Sequence, residues 1–251
     1  MTKSTSIISF SLKKEELDKI SKFSSINPKM YLYPDRIQVI NGTMNAGKNV
    51  NKTKSAVFML DTPYKFEDKL GFLDVNNLMS VVKLFSDHVI EVYEKYVIVR
   101  NLEGSVKIKM WLVPESMELI PIGDVESGYQ KGTAIDNATV FVLSWEQLKK
   151  ITEIKTTINK GFVFLTGTKG SINIKIDDEF EESSNDHANM VITDNIEKEK
   201  LSTFKDGGHV KWVFDLTPMV EDNYRVTILE KAIIMFGLNS KVKYIFATEK
   251  I

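Results

Sequence analysis

The spacing of one glycine-rich stretch nearly matches a catalytic motif. Gly42 to Asn49 reads GTMNAGKN, close to the phosphate-binding loop G-x-x-x-x-G-K-[ST]. The last position is Asn49, which has no hydroxyl to bind magnesium. Such a loop also needs a helix directly after it, and the following VNKTKSAVFML is typical of a loop and a strand. We therefore interpret this stretch as a hairpin loop and keep a nucleotide hydrolase as an alternative.

The other residue types that could do chemistry are dispersed along the chain. The histidines, His88, His187 and His209, are far apart, and none lies at a metal-ligand spacing. The acidic stretch from Asp177 to Asp186 lacks the alternating spacing and the glycine of a calcium loop, which favours a solvated loop. Cysteine is absent, so thiolate metal sites and disulfides are excluded. We predict no catalytic residue, no metal and no cofactor, and hence a protein that is not an enzyme.

Lysines on the outer faces of three predicted helices are the remaining candidates. They are Lys14 and Lys22 on the first helix, Lys83 on the second, and Lys149 and Lys150 on the third. One such face is usually no more than a solvated surface. Its recurrence in both halves predicts a single basic stripe if the helices share one side of a continuous sheet. The net charge of −1 argues against DNA binding by bulk attraction but permits a local stripe.

Two of these helices belong to a duplicated stretch. Phe10 to Asn27 reads FSLKKEELDKISKFSSIN, and Phe141 to Asn159 reads FVLSWEQLKKITEIKTTIN. Both copies place apolar residues on one face at helical spacing. The first copy has Lys13 at the capping position, and because lysine accepts no hydrogen bond, Ser11 is the nearest capping residue. A repeat of this length indicates two similar domains in one chain.

Caps and short apolar runs predict the same element order in both halves: strand, helix, four strands, helix and three strands. Ser144 and Gln147 form a capping box for the second copied helix. Asp74 caps the second helix of the first half, and Thr217-Pro218 is a start for its counterpart in the second half. Tyr64 to Leu70 has the residue types of a strand.

Bulk properties and the central stretch set the domain organisation. Prolines and glycines interrupt the pattern between the halves, which predicts a first domain at residues 1–114, a linker at 115–137 and a second domain at 138–251. The hydrophobic fraction of 43% and the charged fraction of 27% are ordinary for a globular protein. No stretch approaches the ~20 apolar residues of a membrane span, and the first apolar run is too short for a signal peptide. Together with the absence of cysteine, this predicts a cytoplasmic protein.

Three stretches give the chain a resemblance to a known family. They read LDKISKFSSINPKMYLYPDRIQVINGT, LGFLDVNNLMSVVKLFSDHVIEVYEKYVIVRNLEGSVKIKMWLVP and NYRVTILEKAIIMFGLNSKVKYIFATE. In their order and apolar spacing they resemble the T-even-type bacteriophage sliding clamp, the processivity factor of the replicative DNA polymerase, which shares its fold with proliferating cell nuclear antigen. The resemblance implies an α+β DNA-clamp fold of two similar domains, each with antiparallel sheets outside and two helices inside. It also implies a closed ring of three copies.

The resemblance further implies what the ring binds. Double-stranded DNA would pass through the channel, where Lys14, Lys22, Lys83, Lys149 and Lys150 would touch phosphates without reading bases. The replicative DNA polymerase and other partners would dock apolar-aromatic tails in a pocket beside the linker. Leu119, Ile120 and Ile122 either line that pocket or pack the linker on its own domain. An ATP-dependent clamp loader would open the ring, so the clamp itself needs no nucleotide. For a phage-encoded clamp, the compartment is the host cytoplasm.

The contact between copies is expected to join two edge strands. By analogy with the family that the chain resembles, these are Val106 to Leu112 in one copy and Ala188 to Thr193 in the next. Heterologous contacts of this kind close a ring when the rotation divides a full turn. The residues assigned to this contact are Val106, Ile108, Met110, Leu112, Met190 and Ile192. A monomeric processivity factor of the same fold is a second alternative, but near-neutral charge disfavours it because binding would then depend on direct phosphate contacts.

Overall fold

Alternating apolar runs and capped amphipathic segments build two units of strands and helices. The computed structural model describes residues 8–41, 54–66, 69–113, 138–168, 170–178, 187–193, 204, 208–212, 214–229 and 232–248. The first unit holds the described residues 8–41 and 55–113, and the second holds residue 54 and those from 138 onward. The predicted linker at 115–137 lies outside the described residues, so its boundaries stay a prediction.

The first unit follows the predicted order of strand, helix, four strands, helix and three strands. Strands β6, β7 and β8 form an antiparallel meander that β1 extends, in the order β1-β6-β7-β8. The other strands are hydrogen-bonded in the order β5-β2-β3-β4. The elements are β1 (Ile8–Phe10), α1 (Lys14–Phe23), β2 (Met30–Leu32), β3 (Arg36–Asn41), β4 (Lys54–Met59), β5 (Leu70–Phe72), α2 (Val75–Val82), β6 (His88–Val92), β7 (Tyr96–Asn101) and β8 (Lys107–Trp111).

The second unit repeats this topology strand for strand. Its orders, β9-β14-β15-β16 and β13-β10-β11-β12, are those of the first unit with each strand replaced by its later counterpart. The repeat predicted from the copied stretch is therefore a repeat of the whole strand order. The elements are β9 (Thr139–Leu143), α3 (Trp145–Thr157), β10 (Phe162–Thr168), β11 (Ser171–Asp177), β12 (Ala188–Thr193), β13 (His209–Trp212), β14 (Tyr224–Ile228), β15 (Ala232–Gly237) and β16 (Val242–Ala247).

The apolar faces of the helices pack on the sheets, as their spacing predicts. In α1, Ile20 and Phe23 are fully buried, and α1 contacts α2, whose Leu78 is also fully buried. In α3, Leu148 and Ile151 are the fully buried counterparts. Burying each such side chain contributes about 1.5–3 kcal/mol. The helices are thus fixed by their apolar faces, which leaves the opposite faces to solvent.

Local capping signals set the starts of two helices as predicted. The Ser144 hydroxyl accepts the Gln147 N–H at 3.1 Å, and the Gln147 side chain accepts the Ser144 N–H at 2.9 Å. Asp74 accepts the N–H of Asn76 at 2.9 Å. These bonds satisfy N–H groups that have no partner within the helix.

The start of α1 differs from the prediction that named Ser11 as its capping residue. Lys13 is the N-cap, and its backbone N–H donates to the Glu16 carboxylate at 2.7 Å. The Ser11 hydroxyl instead donates to the backbone oxygen of His88 at 2.6 Å. The Glu16 side chain, which reaches back over the first turn, therefore replaces the missing serine or threonine cap.

Two predicted elements are wrong because residues distant in the chain form hydrogen bonds with backbone groups of these segments. Within the predicted strand from Tyr64 to Leu70, the described residues 64–66 and 69 are not strand, and Leu70 begins β5. The Tyr64 N–H donates to the Pro34 oxygen at 2.7 Å and its hydroxyl to Glu16 at 2.8 Å. The helix expected to begin at Thr217-Pro218 is a turn closed by a bond from the Met219 N–H to the Leu216 oxygen at 2.9 Å.

Two tyrosines explain why that turn does not continue as a helix. The Tyr244 hydroxyl donates to the Pro218 oxygen at 3.0 Å and accepts the Val220 N–H at 2.9 Å. The Tyr224 hydroxyl donates to the Val220 oxygen. Both rings are fully buried, so these bonds are protected from water. The described residues of the second unit thus contain α3 but lack the second α-helix expected near residue 217.

A buried carboxylate closes the turn between β15 and β16. Asp222 is 6% exposed and accepts the N–H groups of Asn239 and Ser240 at 2.9 and 2.7 Å. Burial alone would raise the pKa of Asp222, but the hydrogen bonds from Ser240 and Asn239 hold it below its usual value. A Cβ on Gly237 would lie 2.7 Å from this carboxylate, so the close approach requires glycine.

Candidate nucleic-acid interface

Three of the predicted lysines lie exposed on adjacent helices of the first unit. Lys14 and Lys22 are exposed on α1, and Lys83 is exposed at the C-cap of α2. None of the three forms an ion pair within the part of the chain that the structure describes. Their positive charges are therefore available to an anion. Lys22 and Lys83 also lie at helix C-termini, where a cation interacts favourably with the helix dipole.

The neighbouring Lys19 shows why sequence position alone does not identify an available lysine. It aligns with Lys150 in the duplicated stretch, yet its side chain is 4% exposed. Its ammonium pairs with Glu15 and lies 3.5 Å from the centre of the Phe58 ring. This lysine is fixed inside the first unit and stabilises it by ion pairing and a cation–π contact.

The two predicted lysines of the second unit have acidic partners on the same helix. Lys149 lies 3.1 Å from Glu146, and Lys150 lies 3.7 Å from Glu153. The hydrogen bond that Lys149 donates to Glu146 raises the pKa of Lys149. Exposed pairs of this kind are weak, so both lysines remain mobile. Their carboxylate partners nevertheless reduce the net positive charge that α3 presents to a phosphate.

The strands predicted to join neighbouring copies are both edge strands. Among the described strands, β8 has a hydrogen-bonded neighbour only in β7, and β12 only in β11. An edge strand presents unpaired N–H and C=O groups that another chain can complete. Both stretches are strands, as their alternating sequence pattern predicts, and each has one edge without a hydrogen-bonded neighbour among the described strands.

The side chains assigned to this contact differ in exposure. Val106 is 47% exposed, Ile108, Met110, Leu112 and Met190 are half-buried, and Ile192 is 7% exposed. The most exposed apolar side chains on these strands are two that sequence reasoning missed: Trp111 at 65% and Val191 at 57%. The alternating pattern could have predicted the exposure of Trp111, because Trp111 lies at alternate positions with the exposed Lys107 and Lys109.

An open groove lies beside β8 in the first unit. Its volume is about 460 Å³, and Phe72, Leu73, Val81, Met110 and Trp111 supply its apolar lining. Leu73 is 45% exposed. The groove therefore offers apolar surface directly next to the open edge of β8, a combination suited to a protein contact.

The remaining predicted sites are structural or lie outside the described residues. Leu119, Ile120 and Ile122 and the Gly42–Asn49 loop lie outside them. Across the described ranges, no group of three or more histidine, aspartate or glutamate side chains could hold a metal. None of the described helices is long and apolar enough to cross a membrane.

Two of the histidines are partly or fully buried and serve packing. His88 is 8% exposed, and its Nε2 accepts the N–H of Leu12 at 3.1 Å, which joins β6 to the chain before α1. Burial lowers the pKa of His88, against the opposing charge of Asp87. Burial and the nearby Lys175 lower the pKa of His209. Both rings are therefore held neutral at pH 7.

Comparison with known proteins identifies the architecture. No family model and no curated protein sequence matches the chain. Among solved structures, the proliferating cell nuclear antigen of Entamoeba histolytica superposes with a TM-score of 0.60 at 14% identity, covering 98% of this chain and all of that one. The A. fulgidus proliferating cell nuclear antigen, solved with the C-terminal region of FEN-1, gives 0.59 at 14% identity and covers 98% of both chains.

A bacterial clamp gives a similar result. The H. pylori beta clamp matches with a TM-score of 0.64 at 13% identity, over 98% of this chain but 67% of that chain. These similarities cover nearly the whole chain in every case, whereas the sequence identities are too low to transfer a function residue by residue. The chain therefore has the fold of the DNA sliding clamps, α+β with antiparallel sheets.

Proposed function

We propose that the chain is a DNA sliding clamp, which encircles duplex DNA and tethers a replicative DNA polymerase for processive synthesis. The clamp fold over 98% of the chain, shared with two proliferating cell nuclear antigens, carries this proposal. The T-even-type sequence pattern extends it to a bacteriophage protein that works in the host cytoplasm. In this proposal the chain is a scaffold and its partners supply the catalysis.

The ring is proposed to contain three copies joined by β8 of one and β12 of the next. Open ladders on both strands support this pairing, and so does the exposed Val191 on β12. Leu73 and Val81, on the other side of the groove beside β8 from Trp111, add apolar surface for the neighbouring copy. Because the two patches differ, the contact is heterologous and closes into a ring when the rotation permits.

DNA is proposed to be held mainly by enclosure, with light contacts from lysines. Lys14, Lys22 and Lys83 are suited to this because they are exposed and carry charge without acidic partners among the described residues. Lys149 and Lys150 contribute less, since Glu146 and Glu153 lie beside them. Such contacts bind phosphates of any sequence, which suits a ring that slides.

Partner proteins are proposed to dock short tails beside the linker, where Leu119, Ile120 and Ile122 are the candidates. The solved complex of the A. fulgidus proliferating cell nuclear antigen with the C-terminal region of FEN-1 supports this kind of docking. An ATP-dependent clamp loader would open the ring. The clamp itself then requires no nucleotide, in keeping with Asn49 at the magnesium position of the glycine-rich loop.

Two measurements test the proposal. Light scattering at micromolar concentration should give a particle of about three times the 28.6 kDa chain mass. After loading by the cognate loader, the clamp should remain on nicked circular duplex and leave a linearised duplex by sliding off its ends. Equal loss from both substrates would refute enclosure, and a stable monomer at all concentrations would refute the ring.

A further inference from the structure

One face of the β6-β7-β8 sheet carries aromatic and lysine side chains that encirclement of DNA does not use. The opposite face packs into the first unit, where Ile90, Val97 and Val99 are fully buried. We call the solvent-facing set the aromatic–lysine face. Its members are Tyr93, Tyr96, Lys107, Lys109 and Trp111, of which the two lysines and the tryptophan are exposed.

The rings of this face form a contiguous row. Tyr93 and Tyr96 stack with ring centres 4.6 Å apart, and Tyr96 meets Trp111 edge-on at 5.7 Å. Tyr96 and Trp111 are direct cross-strand partners in the β7–β8 register. Aromatic cross-strand pairs stabilise a sheet, but a tryptophan 65% exposed gains little from that role alone.

Lys109 is held between two of these rings. Its ammonium lies 3.7 Å from the centre of the Tyr96 ring and 4.1 Å from that of Trp111. The cation–π contacts fix a side chain that would otherwise be mobile. Lys107 projects from the same face two residues earlier, which places the two lysines about 6.8 Å apart along the strand. Neither lysine forms an ion pair with any described residue.

The surrounding polar groups make this face rigid. Arg100 donates to Glu91 at 2.7 Å, and the Tyr93 hydroxyl donates to the same carboxylate at 3.3 Å. The charge of Arg100 is therefore satisfied within the sheet, and the two lysines are the positive groups left to solvent on this face. A partner would meet a preformed surface and would lose little binding energy to ordering it.

The charge and the geometry favour an acidic peptide over a nucleic acid. A polyanion needs a run of positive charge, whereas here two ammonium groups are flanked by the exposed carboxylates of Glu94 and Glu103. Successive bases stack on open ring faces, whereas Lys109 lies over one face of Tyr96 and one face of Trp111 and leaves only part of the indole exposed. A carboxylate can reach Lys109 from solvent, while an apolar side chain packs on the exposed indole.

We propose that the aromatic–lysine face is a docking surface for an extended acidic segment of a partner protein, with two carboxylates and then an apolar side chain at successive alternate positions, so that all three face the sheet. The carboxylates bind Lys107 and Lys109, and the apolar side chain packs on Trp111. Docking uses the face of the sheet, so it leaves the backbone edge of β8 free for another strand. The surface therefore does not depend on ring closure.

Fluorescence anisotropy with a defined probe tests this inference. The probe is a fluorescein-labelled peptide, Gly-Asp-Ser-Asp-Ser-Phe-Ser-Gly, which places both aspartates and the phenylalanine on one side of the extended chain, and its control carries asparagine in place of every aspartate. We expect saturable binding to the full-length protein and a loss of about tenfold or more in affinity with the asparagine peptide. Lys109→Glu and Trp111→Ala should each cause a comparable loss, whereas Lys29→Glu, an exposed lysine elsewhere in the first unit, should not.

The same titrations can overturn the proposal. Absence of binding up to millimolar peptide would refute it, as would equal affinities for the wild type and Lys109→Glu. Tighter binding of a twelve-nucleotide oligothymidine than of the acidic peptide, if Lys109→Glu abolishes it, would show that the face binds single-stranded nucleic acid instead. A thermal melt checks the fold of each variant, and Lys109→Glu decides the result if Trp111→Ala is destabilised. Because the readout needs neither DNA nor the ring, its failure would leave the sliding-clamp proposal intact.

Discussion

Reversing the charge of three lysines in the first unit should weaken DNA contact more than reversing the two on α3. Lys14, Lys22 and Lys83 are exposed and form no ion pair with described residues, so each presents a full positive charge. Lys149 and Lys150 lie beside glutamates at 3.1 and 3.7 Å. Those carboxylates repel a phosphate within the Debye length, about 8 Å at physiological salt.

The size of the difference follows from counterion release. Each phosphate neutralised by a lysine adds about 0.9 to the slope of log affinity against log salt concentration. If each of the three lysines contacts one phosphate, their reversal lowers the slope by about 2.7 per protomer. For the α3 pair the upper limit is about 1.8, and the competing glutamates should bring the measured change below it.

The assay is the salt dependence of clamp affinity for nicked circular duplex, measured for wild type and for both sets of glutamate substitutions. Light scattering on each variant confirms that the oligomer is unchanged. A matched control, Lys29→Glu/Lys95→Glu/Lys107→Glu, alters the net charge equally but changes exposed lysines outside the helices. Its slope should remain close to that of wild type.

Two outcomes would refute this reasoning. If the control lowers the slope as much as the Lys14/Lys22/Lys83 variant, overall charge and not position governs binding. If the Lys149/Lys150 variant has the larger effect, the glutamates of α3 do not weaken its lysines, and α3 is the main DNA-facing helix.

Three further predictions concern stability. The free energy of unfolding should fall as the pH drops below about 6.5, because His88 takes up a proton more readily in the unfolded chain than in its buried native position. The loss of unfolding free energy between pH 7.5 and pH 5.5, measured by urea titration, should be smaller in His88→Gln than in the wild type. Ser144→Ala should cost about 0.5–2 kcal/mol in urea unfolding by removing the α3 cap, with Ser80→Ala on α2 as a milder control. Asp222→Asn should lower the melting temperature at pH 7 by weakening three charge-assisted hydrogen bonds. Because the native pKa of Asp222 is lowered, the difference should shrink as the pH falls below the ordinary aspartate value of about 3.9; an unchanged melting temperature would contradict this role.

The sequence predicts those parts of the fold that short-range signals determine. The capping pair of Ser144 and Gln147 and the cap at Asp74 act within one helical turn, so residue spacing identifies them. Alternation likewise identifies the meanders, because a strand with one buried face repeats every two residues. The predicted strand at Tyr64 and the helix at Pro218 fail because partners far along the chain, the Pro34 oxygen and the Tyr244 hydroxyl, take their backbone groups.

In the candidate site, too, residue spacing predicts some features, and contacts between distant parts of the chain determine the others. Helical spacing correctly predicts that Lys14, Lys22 and Lys83 face solvent, because the opposite positions are apolar. It does not reveal that Lys19 is buried against Phe58, since that contact joins a helix to a distant strand. The channel, the contact between copies and the tail-binding pocket remain predictions, because each depends on a second chain or on residues outside those described.

The charges on β8 bear on which assemblies the chain avoids. If two copies of β8 met edge to edge in antiparallel register about Lys109, that lysine would face its own counterpart, and like charges directly opposite destabilise a strand pair. β12 reads ANMVIT and carries no charge, so it meets β8 without such repulsion. Lysine on the edge strand thus disfavours two-fold dimers in which β8 pairs with β8 of a second copy. It favours the head-to-tail contact of β8 with β12.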